Sequence, residues 1–294
     1  MLAKFESIRQ QFEMFARDYF YQQRIPSERL QSAMAYSFLD GGKRIRAILS
    51  YLSADCFGCH TDNKHYIAFA LEAMHAYSLI HDDLPAMDDD ALRRGKPTCH
   101  IQYNEATAIL AADALQSIAF QVLSELKEIN IDQLKNILFV LATHTGAKGM
   151  VAGQQLDIDA EGNTQTIKTL ETIHKLKTGK LLTASVVLPF LASSYYLDKH
   201  IEQHLIKFSE CIGLAFQVKD DLLEATSDTK ILGKSNMSDL KLNKSTYPSL
   251  LGIEKTKMLL YTLIKEAYLH LDRLSQFNTE NLKQLAEYII KREY

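Results

Sequence analysis

Apolar side chains recur every three or four positions along most of this chain, the spacing that lays one apolar stripe along an α-helix. The stripe runs through segments near 1–23, 44–56, 63–84, 104–128, 131–150, 168–197, 201–225, 252–276 and 279–292. In "MLAKFESIRQQFEMFARDYF" it falls on Phe5, Ile8, Phe12, Phe15 and Tyr19, with Glu6, Glu13 and Asp18 on the remaining face. Strand-like alternation between turn residues is essentially missing. Breakers sit where helices should stop: Gly41-Gly42, Pro85, Gly95 to Pro97, and the stretch from Gly233 to Pro248. No low-complexity linker divides residues 1–294. The pattern predicts one all-α domain, a single large bundle of about ten helices.

Composition narrows the use of such a bundle. With 294 residues, 47% of them hydrophobic, the chain can bury a substantial core. Its longest uncharged run, Leu181 to Leu197, is short for a membrane span and carries Pro189, so a buried helix is expected and no membrane insertion. The 33 basic and 36 acidic residues leave a net charge of −3, which argues against a nucleic-acid partner. Four cysteines are too few for a disulfide framework, and no signal peptide opens the chain; both point to a reducing, cytoplasmic setting. "CFGCH" (56–60) has the spacing of a c-type haem attachment, but that chemistry needs an exported chain, so a helix end and turn are expected there.

The chemistry concentrates in two acidic stretches. "LIHDDLPAMD" closes one apolar helix and "FQVKDDLLE" another, each an Asp-Asp pair followed by a further carboxylate and then by basic residues. An acidic run is ordinarily a solvated face. Aspartates at the edge of buried space are costly unless something pairs with them, however, and here the arrangement occurs twice. Asp220 and Glu224, four apart, share a helical face. Asp82 and Asp88, six apart, would diverge on a regular helix unless Pro85 breaks it and returns Asp88 toward Asp82. Two such clusters facing each other across a bundle suit Mg²⁺ held by carboxylates and substrate phosphates. Local cations fit the same ligand: Lys43, Arg44 and Arg46 in "GGKRIR" at a helix start, Lys177 and Thr178 in "KLKTGK", and Lys234. His75, two turns above Asp82-Asp83, can donate to a diphosphate. His81 beside Asp82 is read first as a hydrogen-bonded structural residue.

Together, "GGKRIR", "HAYSLIHDDLPAMDDDALRRGKPTCH", "GQQLDID", "HKLKTGKLL", "GLAFQVKDDLLE" and "LGK…KSTYPSLLG" resemble the short-chain trans-prenyl diphosphate synthases, most closely the bacterial farnesyl type. The likeness runs from about residue 25 to the C-terminus, and several motifs in order make it specific. It implies an all-α bundle around a deep central cavity, in a homodimer acting on small prenyl diphosphates. It places three Mg²⁺ ions on Asp82, Asp83, Asp88, Asp220, Asp221 and Glu224, with Asp82, Asp88 and Asp220 foremost as direct ligands. Arg93, Lys177, Thr178, Gln217 and Lys234 correspond to residues for the allylic diphosphate; Lys43, Arg46, His75 and Arg94 to those for isopentenyl diphosphate. Tyr77 and Ser78 fall where such enzymes floor the product tunnel, Tyr77 about 7.5 Å down the helix from Asp82. An aromatic there, with the insertion in "DDLPAMD", implies a C15 product. The chain departs from the pattern at Glu224, where Asp is usual, at Ala47 for proline and at Met237 for glycine.

Other readings explain less. A geranylgeranyl diphosphate synthase would differ only in product length. A helical metal-dependent phosphohydrolase built on His81-Asp82 and Asp220 leaves "GGKRIR" and "KLKTGK" without a role. "DDLLE" fits the second metal motif of a terpene cyclase poorly, and a non-catalytic partner subunit would not need both acid clusters.

Overall fold

A computed structural model describes residues 3–226 and 245–291, and the chain is all-α. It divides into two compact units, Met1–Leu138 with Ala192–Ser194, and Phe139–Leu191 with Tyr195–Tyr294.

The first unit holds α1 (Ala3–Gln22), α2 (Glu28–Phe38), α3 (Ile45–Phe57), α4 (Thr61–Asp82), the short α5 (Cys99–Gln102), α6 (Glu105–Leu123) and the start of α7 (Ile131–Thr145). Phe5, Ile8, Phe12 and Tyr19 of α1 are buried as the stripe requires. Phe15 is half-exposed and stacks on His65 at 4.8 Å. The core of this unit is α4 lying along α6. Alanines on both (Ala68, Ala70, Ala73 and Ala76; Ala108, Ala111, Ala112 and Ala119) are buried. Caps set the starts: Ser27 accepts from the Leu30 N–H for α2, and Asn104 from the Thr107 N–H for α6. "CFGCH" is the expected helix end. Gly58 closes α3 in the left-handed region (φ +66°), and His60 opens α4 by accepting from the Asp62 N–H.

The second unit continues α7 and adds α8 (Met150–Asp159), α9 (Ile167–His174), a π-helical turn (Lys175–Gly179), α10 (Lys180–Leu191), α11 (Lys199–Thr226), α12 (Tyr247–Leu251), α13 (Ile253–Asp272) and α14 (Glu280–Lys291). Every residue of α10 from Leu181 to Leu191 is buried, so the long apolar run is a core helix, and Pro189 is tolerated in its last turn. Among the described residues the one helix long and apolar enough to cross a membrane by composition is instead α6, about 50% buried.

Two sequence expectations are corrected. The stripe over 168–197 is not one helix but α9, the π-turn and α10, ending at Leu191. Helices α2 and α8 lie outside the predicted segments. α2 buries only Ala33, Met34 and Phe38, and α8 only Met150 and Gly153, so neither carries a strong stripe.

Candidate active site

In the first unit the acidic motif forms where α4 stops. Leu84 precedes Pro85 and cannot continue the helix comfortably. The chain instead makes a compact return in which the Asp88 N–H donates to the Asp82 carbonyl at 2.9 Å and the Asp89 N–H to that of Leu84 at 3.2 Å. The six-residue spacing is thereby folded back on itself, as the proline break predicts. Asp83 behaves differently from its neighbours. It is 3% exposed, and both its oxygens accept from Arg93 Nε, at 2.7 and 2.9 Å. Burial opposes the charge on Arg93, but Asp83 outweighs it and holds the guanidinium ionised.

Arg93 and Arg94 ride on a two-residue hairpin. Leu92 pairs with Pro97 and Arg93 with Lys96, and the turn residues Arg94 (φ +54°) and Gly95 (φ +75°) both lie in the left-handed region. The hairpin is fastened to the loop before α3. Arg94 donates to the carbonyls of Asp40 and Gly41 at 3.3 and 3.0 Å, and Lys96 pairs with Asp40 at 3.0 Å. Gly42 (φ +100°) lies in a region that L side chains rarely adopt, so glycine is required there by conformation, and the Arg94 guanidinium packs against its bare Cα.

The three cations of "GGKRIR" separate in the fold. Arg44, grouped by sequence with the anion binders, is a buried structural residue. Nη2 donates to the Phe38 and Leu39 carbonyls at 2.7 and 3.1 Å, and Nη1 pairs with Glu72 at 3.4 Å. The Ala47 N–H, one of the backbone donors expected to hold an anion, is taken by Glu72 Oε1 at 3.0 Å. Lys43 and Arg46 are half-buried, and Arg46 Nε is a buried donor with no partner. Burial, with Arg94 adding repulsion and Glu72 opposing, pushes the Arg46 pKa down to about 10. His75 is held well below its ordinary pKa by burial and then by Arg46, Arg94, Arg93 and Arg44 in turn. It is a neutral imidazole in a positive field, a setting suited to an anion.

Two and three positions on along α4, Tyr77 is buried with its ring edge-on to His81 at 5.1 Å, and Ser78 Oγ donates to the His75 carbonyl at 3.0 Å. His81 Nε2 stands 3.9 Å from Asp113.

In the second unit "KLKTG" is the π-turn, a geometry often found at functional sites because it re-aims side chains. Lys177 Nζ donates to Asp157 Oδ2 of α8 at 2.7 Å, and Thr178 is half-buried beside it in sequence. Glycines on two helices make room for the turn. A Cβ at Gly153 would lie 2.2 Å from the Lys177 nitrogen, and one at Gly213 of α11 would lie 3.0 Å from the Gly179 Cα. Gln217, Asp220, Asp221 and Glu224 follow on α11, all half-buried. Asp221 Oδ2 accepts from the Tyr247 N–H at 2.8 Å and so anchors the start of α12. Lys234 and Met237 lie outside the described residues. Neither Asp157 nor Glu72 is singled out by the sequence; Asp157 stands in the quoted "GQQLDID", and Glu72 has no local signal.

Among the described residues no three His, Cys, Asp or Glu side chains converge as a ready-made metal site. The donors present are hard carboxylate oxygens in small groups. That fits Mg²⁺, which takes one or two carboxylates and completes its shell with water and substrate phosphates.

The chain is similar to several known proteins. The profile of the family described as Polyprenyl synthetase matches residues 27–285. A farnesyl diphosphate synthase of Haemophilus influenzae is 48% identical over 264 residues, covering 90% of this chain and 89% of that one. One of Escherichia coli is 46% identical, covering 88% of each. Among solved structures, a geranyltransferase from Helicobacter pylori complexed with magnesium and isoprenyl diphosphate has a TM-score of 0.87 at 33% identity, covering 99% of this chain and 98% of that one. The chain belongs to the polyprenyl synthetase family.

Proposed function

We propose that the chain is a farnesyl diphosphate synthase, adding isopentenyl diphosphate to dimethylallyl and then geranyl diphosphate, with residues 1–294 working as one catalytic domain. The observation that carries this reading is the cationic set of the first unit: a buried, unpartnered Arg46 Nε and a neutral His75 amid arginines. Such a set is suited to a diphosphate. The magnesium and isoprenyl diphosphate named for the Helicobacter pylori relative, and the activity named for the Haemophilus influenzae one, support it.

Isopentenyl diphosphate sits on Lys43, Arg46, His75 and Arg94, with His75 giving a hydrogen bond and the arginines the charge. The allylic diphosphate takes Arg93, Lys177, Thr178, Gln217 and Lys234. Three Mg²⁺ ions are assigned to Asp82, Asp83, Asp88, Asp220, Asp221 and Glu224. Asp82, Asp88 and Asp220 are the direct ligands, while Asp83 and Asp221 also hold Arg93 and the Tyr247 N–H. When bound, Mg²⁺ neutralises charge on the leaving diphosphate. Lys177, kept in place by Asp157, adds a fixed positive charge where negative charge grows as the allylic C–O bond breaks. Lys43, Arg46 and Arg94 hold the double bond of isopentenyl diphosphate against the resulting allylic carbon, turning an encounter into an oriented reaction. The new C–C bond forms, and a proton leaves to the departing diphosphate. Tyr77, with Ser78 beside it, floors the space for the growing tail.

The chain acts as a homodimer in a reducing cytoplasm, without membrane insertion or nucleic acid. Four free thiols suit that compartment, and Leu110 and Ile101, 59% and 56% exposed on α6 and α5, suit a partner. The test is direct. Purified chain with Mg²⁺, isopentenyl diphosphate and each allylic starter should give a C15 alcohol after phosphatase treatment. No elongation, or metal-dependent phosphate release from nucleotides, would overturn the reading.

A further inference from the structure

Glu72 has no place in the proposed reaction, yet it is one of the most confined charges in the first unit. It lies in the middle of α4 and is 2% exposed, a setting where an unpaired carboxylate would be costly. Its two oxygens face different partners. Oε2 is 3.4 Å from Arg44 Nη1, and Oε1 accepts the Ala47 N–H at 3.0 Å, in the first turn of α3 and one residue past Arg46. Arg44 is itself tied to the carbonyls of Phe38 and Leu39 just before the Gly-Gly loop. One carboxylate therefore lies between the arginine tied to the loop that ends in Lys43 and the helix start that carries Arg46. Its field also reaches further, supporting the charge of Arg46 and of Arg94, which otherwise repel each other.

We propose that Glu72 is a positioning residue for isopentenyl diphosphate, the buried counter-charge that lets Arg44, Arg46 and Arg94 crowd together while Arg46 keeps a donor for the substrate. Glu72 touches no substrate; it acts through Arg46 and Arg94. The assignment rests on the function proposed for the chain. It is specific to one substrate, because residues assigned to the allylic diphosphate have other carboxylate partners: Arg93 is held by Asp83, and Lys177 by Asp157.

Ala47 provides a control. The related enzymes commonly have proline here, and the first turn of a helix tolerates proline because its N–H needs no intrahelical partner. Ala47→Pro removes the hydrogen bond to Glu72 and leaves the charge. Glu72→Gln removes the charge and leaves an acceptor for Ala47.

Steady-state kinetics with geranyl and isopentenyl diphosphate separate the two roles. Glu72→Gln should raise KM for isopentenyl diphosphate by about 10-fold or more, the effect of losing one favourable charge interaction. Its KM for geranyl diphosphate and its kcat at saturation should stay within about 2-fold of the parent, as should every constant of Ala47→Pro. Glu72→Asp keeps the charge and serves if the glutamine variant does not fold; its KM for isopentenyl diphosphate should rise no more than about 3-fold. Equal rises in both KM values for either Glu72 variant, or the same isopentenyl-specific defect in Ala47→Pro, would reduce Glu72 to a helix-start residue and overturn the proposal. A parent chain that makes no C15 product would instead overturn the function on which it rests.

Discussion

Tyr77 and Glu224 are the single side chains to which the proposed function gives control of product length and a share in metal binding. Tyr77 is buried on α4 five residues before Asp82; burial, with Asp82 and Asp113 adding repulsion, pushes its hydroxyl above the ordinary phenol range, so it acts as a neutral wall. Tyr77→Ala should extend the product past C15, read by sizing the hydrolysed alcohols. Persistence of C15 alone would show that another group sets the limit. Glu224 is half-buried on α11, one turn beyond Asp220, and differs from aspartate by one methylene. Glu224→Asp should leave kcat/KM within a few-fold, and loss of activity would mean the site needs the longer reach. At this scale the sequence was informative about which residue types matter and poor at sorting like from like. "GGKRIR" presents three cations in four positions, yet Arg44 is walled in by the Phe38 and Leu39 carbonyls and Glu72, ties that Arg46 does not share. The residue that sorts them, Glu72, lies 28 positions beyond Arg44, with no local pattern to announce it.

Among the elements, the π-turn at Lys175–Gly179 carries the most consequence, and it was invisible in the sequence. Apolar spacing across 168–197 reads as one helix because a widened hydrogen-bond step leaves no compositional trace. The packing that requires it is visible only in three dimensions. Gly153 of α8 approaches the Lys177 backbone so closely that an added Cβ would stand 2.2 Å from its nitrogen, a clash with main chain that no rotamer can relieve. Gly153→Ala should therefore push the turn away from α8 and loosen the Lys177–Asp157 pair. The cost is that of overpacking, about 1–3 kcal/mol. We expect a lower melting temperature and at least a roughly 10-fold drop in kcat/KM for the allylic substrate. An active, equally stable variant would show that the turn yields easily. The acidic return after α4 is the opposite case. Pro85 and the six-residue spacing pointed to it in advance, because proline restricts the residue before it whatever the rest of the fold does.

For the whole chain, the spacing of apolar and charged residues foretold an all-α protein, and the buried α10 within it, since a helix apolar on every side has nowhere else to go. It did not foretell how acid would affect the molecule. His144 and His174 are both pushed down to about 4, by burial first, with Lys180 and Lys177 respectively adding to the effect. In the unfolded chain both take up protons near the ordinary histidine pKa of about 6.5. The folded chain therefore binds fewer protons between these values, and stability is full above about pH 6.5 and falls as pH drops toward 4. Urea midpoints should decline over that window, and His144→Gln with His174→Gln should flatten the decline. An unchanged slope would assign the acid sensitivity to other groups.

The five-residue π-turn has the form left when one residue is added to an ordinary helix. Deleting Leu176 would let α9 and α10 join without interruption and keep their faces, because the widened step takes up the surplus residue locally. What the shorter chain would lose is the widened step itself, and with it the backbone position from which Lys177 reaches Asp157. The frame of the second unit could thus outlast the deletion while the placement of this cation could not.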